Sequence, residues 1–278
     1  MTVLVTGASG KVGSRVVAEL TGRDIPVRAA SRRSQFRLDW TEPAGWDRVL
    51  DGVRCAFLVV PGGDDGHRNV SGLGRQVIRF LDQAAKHGME SVVLMTALGM
   101  QYAPEQVEQR AVELCLQNSG MRWTILRPNW FHQNLSEGVM HELATANDGV
   151  LALPLEEATC SLVDARDIAA VAATALIGDH HGREYDLTGP EALTFERIAQ
   201  LTSASSLAVR AYQPVTDGQF TAAARALGWD AAYVAQLSEL FATIRTGAAA
   251  QLTADVAQVL GRDPVSLHQF LQDPAHCP

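Results

Sequence analysis

Lysine is nearly missing from this sequence. Of 23 basic residues in 278, only Lys11 and Lys86 are lysines, so any chemistry that needs a lysine has two positions to draw on. Acids outnumber bases, 31 to 23, for a formal net charge of -8. Contact with a phosphate backbone needs a basic surface, so no nucleic-acid partner is expected. The four cysteines, Cys55, Cys115, Cys160 and Cys277, form no C-x-x-C. They indicate neither a zinc site nor a disulfide framework, and they suit a reducing cytosol. No His or carboxylate cluster has metal-ligand spacing, so no metal is expected. Apolar runs stop at strand length, well short of the ~20 residues of a membrane span. The N-terminus opens directly into a strand, without the basic and apolar stretches of a leader. A soluble, cytoplasmic protein with no membrane partner is the expectation.

The composition is otherwise that of a compact enzyme, 47% hydrophobic and 19% charged, long enough for a large domain with a smaller lobe. Its first half alternates β-branched runs with helical patterns, the mark of successive βαβ units and a parallel sheet. Strands are predicted at Val3–Val5, Pro26–Ala30, Phe36–Leu38, Cys55–Val60, Ser91–Met95 and Trp123–Leu126. Helices are predicted between them, at Lys11–Leu20, Trp46–Leu50, Leu73–Lys86 and Glu105–Gln117. Beyond Pro128 the pattern changes. Helical stretches at Gln133–Ala146, Ala165–Ile177 and Phe195–Thr202 mix with short strands such as Glu184–Leu187, and from Thr216 the chain reads as nearly all helix. The expected fold is α/β, a Rossmann-like, doubly wound parallel sheet with a smaller mixed, mostly helical C-terminal lobe. Residues 1–130 would form the cofactor domain, later strands rejoining its sheet, and 131–278 the substrate-binding lobe.

The first chemical motif is the turn Thr6-Gly7-Ala8-Ser9-Gly10-Lys11-Val12-Gly13. It follows a predicted strand and opens a helix, the context that separates a dinucleotide fingerprint from an ordinary glycine turn. Gly7 permits the tight turn, Gly10 lets the backbone approach a pyrophosphate, and Gly13 allows close packing, with the helix N-terminus facing the phosphate charge. The second strand then decides the nicotinamide cofactor. An Asp or Glu at its end would hold a ribose 2′-OH, and an Arg would accommodate a 2′-phosphate. Here the strand runs out in Ser31-Arg32-Arg33, with no acid. Arg32 offers charge-assisted bonds and Ser31 one more. NADP(H) is the expected cofactor.

A series of further motifs spans nearly the whole length. These are Asp39-Trp40 with Trp46 and Leu50-Asp51-Gly52-Val53, Thr96-Ala97-Leu98-Gly99, Glu113 before Ser119-Gly120, the run from Trp123 to Phe131, Tyr185 to Pro190, and Leu260 to Pro264. With the glycine turn they resemble the NmrA-like group of atypical short-chain dehydrogenases. That group takes in the bacterial type 2 NAD(P)H:quinone oxidoreductases, the iminium reductases of ergot-alkaloid biosynthesis and a fungal nitrogen regulator that binds NADP. The resemblance implies that Ser9, Lys11 and Val12 join Gly7, Gly10 and Gly13 at the phosphates, and that Asp39 and Trp40 approach the adenine. It also implies that Val60, Pro61, Thr96 and Ala97 line the cofactor, and that Pro128, Asn129 and Trp130 lie beside the nicotinamide.

Typical short-chain dehydrogenases use Tyr-x-x-x-Lys, whose lysine lowers the tyrosine pKa for proton transfer. None of Tyr102, Tyr185, Tyr212 and Tyr233 has a lysine four residues on. Tyr102 stands six residues after Thr96 but is followed at that spacing by Gln106. Plain carbonyl reduction by the standard route is therefore not expected. Hydride transfer is still open, because the cofactor carries that chemistry and the protein positions it. The missing acid selects a small apolar or aromatic electrophile activated before it binds: a quinone, an iminium or an activated alkene.

Candidates for the chemistry are His132, Asn129 and Tyr102. His132 follows Trp130-Phe131, and a histidine can serve as a proton donor near neutral pH; the competing reading is a satisfied histidine in the interlobe packing. Asn129 would orient a substrate. Met100, Tyr102, Trp130, Phe131 and Phe241 suit the wall of an apolar pocket, although Leu237, Phe241 and Ile244 also have the period of plain helical core. A monomer or homodimer is expected. A redox sensor that binds NADP(H), and a tailoring enzyme that uses it for internal redox, are the alternatives to a reductase.

Overall fold

The computed structural model describes residues 2–60 and 72–273. The N-terminal half builds β1 (Val3–Thr6), α1 (Lys11–Gly22), β2 (Val27–Ser31), β3 (Phe36–Arg37), α2 (Trp46–Leu50), β4 (Cys55–Val59), α3 (Gly74–Lys86), β5 (Ser91–Met95), α4 (Glu108–Gln117) and β6 (Arg122–Pro128). Beyond it come α5 (Val139–Thr145), β7 (Val150–Leu153), β8 (Thr159–Cys160), α6 (Ala165–Ile177), β9 (Arg183–Leu187), β10 (Leu193–Thr194) and α7 (Phe195–Thr202). The chain closes with β11 (Ala211–Pro214), α8 (Asp217–Ala226), α9 (Ala231–Arg245), α10 (Asp255–Leu260) and α11 (Leu267–Gln272).

Seven strands form one sheet in the order β3-β2-β1-β4-β5-β6-β9, with every neighbouring pair parallel. Parallel strands covered on both faces read as continuous apolar runs, which is how Val3–Val5 and Cys55–Leu58 look, all buried. Their side chains alternate between two cores. Val3 and Val5 pack with Val12, Val16 and Leu20 of α1 and with the alanine-rich face of α6. Leu4 points to the other side, with Trp46 and Leu50 of α2, Phe80 of α3 and Val112 of α4. Strand order reverses around β1, so a crevice opens beyond the carboxyl ends of β1 and its neighbours.

The second half is not a separate block. β9 pairs with β6, and α6 and α10 cover the face carrying α1. A division at residue 130 thus cuts across the sheet layer, because two later helices and a strand return to it. The remaining elements enclose their own core, in which Leu135, Leu143, Phe195, Phe220, Phe241 and Phe270 meet. The strand pairs β7–β11 and β8–β10 brace it. The helix expected over Gln133–Ala146 splits in two. Residues 132–135 make a single tight turn, and α5 starts after Gly138, whose φ of 138° no helix contains.

Candidate active site

A crevice of about 900 Å³ runs along the carboxyl ends of β2, β1, β4 and β5. Gly7, Ser9, Gly10, Lys11, Val12 and Gly13 form its middle. Gly7 turns the chain off β1 with φ +60°, and Gly10 donates back to its carbonyl at 2.9 Å. The closest fit is at Gly13, where a Cβ would lie 2.1 Å from the Gly7 oxygen. The third glycine therefore serves the helix's approach to the turn itself. No side chain caps α1 and its first turn holds no acid, which leaves its N-terminal amides and their partial positive charge for an anion.

One end of the crevice is lined by Ser31, Arg32, Leu38, Asp39, Trp40 and Thr41. Ser31 Oγ lies 2.6 Å from Ser34 Oγ and accepts the Arg33 amide at 3.3 Å, so the turn after β2 is fixed from within. Thr41 donates its hydroxyl at 2.7 Å and its amide at 2.9 Å to Asp39 Oδ1. These bonds, with Arg37 and Arg32 nearby, hold the Asp39 carboxyl below its ordinary range. Trp40 meets Trp46 and Phe80 edge-on. The charge pattern fits a dinucleotide: a basic end, a glycine turn at a helix N-terminus, and no carboxylate directly after β2.

The opposite end is lined by Val59, Val60, Leu73, Met95, Thr96, Gln109, Phe131 and Glu137. Glu137 pairs with Arg15 of α1 at 3.0 Å, and Gly138 beside it comes close to the Lys11 ammonium, which a Cβ would meet at 2.5 Å. The segment after β6 is thereby strapped over the glycine turn.

Thr96 sits on a buried ionic network. Its hydroxyl donates to Glu113 Oε1 at 2.6 Å. Arg127 grips the same carboxylate through Nε and Nη2, both at 2.9 Å, and Arg110 adds a bond at 2.7 Å. Burial alone would raise the Glu113 carboxyl, but the bonds from Arg127, Thr96 and Arg110 outweigh it and hold the group below its ordinary value. Glu113 is thus an ionised acceptor, and the Thr96 proton is committed to it.

Of the residues expected from the sequence, the glycine turn, Ser31, Arg32, Asp39, Trp40, Val60 and Thr96 come together in this one crevice. Pro61 lies outside the described residues. Ala97, Pro128, Asn129 and Trp130 are not among the residues that line the crevice. Asn129 is buried, and its Nδ2 donates to Ser161 O, Ser161 Oγ and Ala249 O at 2.8–3.2 Å. Its Oδ1 accepts the Trp130 amide, so this side chain ties the end of β6 to the lobe, with no hydrogen bond directed at a ligand. Trp130 stacks on Phe241 at 5.8 Å.

The three residues named for the chemistry do not converge. His132 is 2% exposed and packs its ring 5.2 Å from Phe270, inside the C-terminal lobe. Tyr102 is 82% exposed on a short turn. Sequence reasoning missed Gln109 and Glu137. Gln109 carried a signal, since it lies in the first turn of the helix that follows β5 and precedes Glu113 by four residues. Glu137 carried none, because the strap that brings it over α1 depends on tertiary packing.

A family model described as NAD(P)H-binding matches residues 7–177. An NAD(P)H azoreductase of Xenophilus azovorans is 30% identical over 96% of this chain and 96% of its own. The agroclavine dehydrogenase of Claviceps fusiformis is 26% identical over 98% and 97%. Among solved structures, the NADPH complex of a quinone oxidoreductase from Escherichia coli superposes with a TM-score of 0.81, at 21% identity and with 98% of each chain covered.

Proposed function

The chain belongs to the NAD(P)H-binding family, among the NmrA-like atypical short-chain dehydrogenases, and on that footing we propose that it is an NADPH-dependent reductase of a small, pre-activated electrophile. That it is an NAD(P)H-dependent oxidoreductase follows from the family. The preference for NADPH, the residue roles and the acceptor class are our reading.

In this reading Ser31 and Arg32 hold the 2′-phosphate, and Asp39 and Trp40 flank the adenine. The first-turn amides of α1, with Ser9 and Lys11, hold the pyrophosphate. Val60, Met95, Thr96 and Phe131 then border the nicotinamide, which supplies hydride when the cofactor is bound. Asn129 and Trp130 act by fixing the lobe against β6, and His132 acts through packing. The lobe around Phe241 and Phe270 closes the substrate side and helps keep water out.

One observation carries the acceptor class. The reactive end of the crevice is apolar apart from Thr96, Gln109 and Glu137; the Thr96 proton is committed and Glu137 is paired with Arg15. Such a site orients hydride transfer without donating a proton. It suits a quinone, an iminium or an activated alkene, whose reduced forms are neutral or stabilised anions, better than a plain ketone. The relatives with azoreductase and dehydrogenase names lend support. Stopped-flow loss of NADPH absorbance against a panel of these acceptors and simple ketones tests the reading. Rapid oxidation with a member of the first group and none with ketones is expected. Equal rates with ketones would overturn it.

A further inference from the structure

We propose that Gln109 is the hydrogen-bond donor that receives the acceptor's developing negative charge, with Glu113 and Thr96 as positioning residues, and that the acceptor is accordingly a quinone. The inference rests on the reductase reading above.

Gln109 and Glu113 lie one turn apart on the same face of α4, the i, i+4 relation that makes helix residues neighbours. Glu113 points inward and takes the Thr96 hydroxyl and the Arg127 guanidinium. Gln109 lies nearer the helix start, half-buried, and lines the same crevice as Thr96. Its carboxamide makes no hydrogen bond among the described residues, although it offers two N–H donors. The helix that carries it is held at both levels, by Glu113 below and by Glu108 above, which accepts the Gly74 amide at 3.1 Å. The spacing Gln109-x-x-x-Glu113 equals that of the absent tyrosine–lysine pair, with a neutral amide for the acid and a carboxylate for the cation.

That exchange changes the chemistry the site supports. An amide N–H gives up no proton; it stabilises an oxyanion through a preorganised hydrogen bond. Thr96, its proton given to Glu113, presents only lone pairs. A quinone gains the hydrogen and its bonding pair at one carbonyl oxygen, forming an O–H bond as the C4–H bond of NADPH breaks to leave NADP⁺. The displaced π electrons settle on the other carbonyl oxygen as the hydroquinone monoanion, the oxygen that Gln109 receives. Water then supplies the proton. An iminium becomes a neutral amine in the same step and places no negative charge near Gln109.

Gln109→Leu separates these cases. Loss of one such donor should lower kcat for a naphthoquinone about tenfold or more, a loss several-fold larger than any on an iminium, with the NADPH dissociation constant read by fluorescence on the same variant to separate lost chemistry from lost cofactor. In the wild-type NADP⁺ complex, a naphthohydroquinone should shift the Gln109 side-chain amide signals in a ¹H–¹⁵N spectrum, assigned by their loss in the variant. A wild-type enzyme that reduces the quinone, with Gln109→Leu equally fast and no signal shift, overturns this proposal alone. A wild-type enzyme that binds NADPH and reduces no acceptor overturns the reductase reading, and this proposal with it.

Discussion

Thr96 gives its hydroxyl proton to Glu113 across 2.6 Å, at a point where the crevice floor meets a carboxylate shut off from solvent. The bond fixes the end of β5 against α4, and it places an ionised group behind the reactive end of the crevice. The charge is balanced by Arg127 and Arg110, so the network orders the site without making it anionic.

Glu113→Gln should therefore be costly. Among the described residues it leaves Arg127, 2% exposed, with only the partly exposed Glu184 and Asp186 as anionic partners. Breaking a buried pair costs about 3 kcal/mol or more, visible as a lower Tm at neutral pH. Because the folded pKa of Glu113 lies below its ordinary 4.5, its contribution is complete above that pH and drains away as pH falls through the folded value. The Tm gap between wild type and variant should stay constant from pH 8 to about 6 and narrow in acid, below pH 4.5. A gap that widens in acid would contradict the assignment.

Arg32→Ala tests the cofactor preference. A charge-assisted bond to phosphate is worth about 1.5–3 kcal/mol, which is roughly ten- to a hundredfold in affinity. Titration by fluorescence should show that loss for NADPH and little change for NADH. Equal losses for both would remove the 2′-phosphate from Arg32.

Gly13→Ala asks whether the glycine turn tolerates any side chain. The new methyl would stand 2.1 Å from the Gly7 carbonyl oxygen, so α1 must move away from the turn. Overpacking of this kind costs about 1–3 kcal/mol, and the shift of the α1 amides should weaken NADPH binding about tenfold. Calorimetry and thermal melting on the same sample read both effects.

His132→Phe separates packing from proton transfer. Phenylalanine preserves the ring contact with Phe270 but cannot titrate. The kcat–pH profile should keep its shape across the histidine range near ~6.5. Loss of a limb there would return His132 to the chemistry.

The cofactor half of the site was legible because its determinants are local. A strand, three glycines and a helix lie within residues 3–22, and Ser31-Arg32 stands at the end of the next strand. The sheet was legible for the same reason, and even β9 showed itself as the short run Glu184–Leu187, which does rejoin the sheet beside β6. The chemistry was not legible at His132, Asn129 and Tyr102. Side-chain type alone cannot say that Asn129 spends its amide on Ser161 and Ala249, or that Tyr102 faces outward. Gln109 was visible in principle through its spacing to Glu113, but a glutamine there lacks the titrating group that motif reading looks for. The strap at Glu137 and Gly138 was hidden because both residues read as part of one continuous helical period.

The central claim is hydride transfer from NADPH to a quinone-type acceptor in a site that gives no proton. It is tested most directly by single-turnover oxidation of NADPH deuterated at the transferring C4 position, mixed with enzyme and a naphthoquinone across pH 6 to 8. The account predicts a primary isotope effect on the NADPH decay, with a rate independent of pH over that range. A decay that shows no isotope effect, or one governed by a single protein ionisation between those limits, would contradict it.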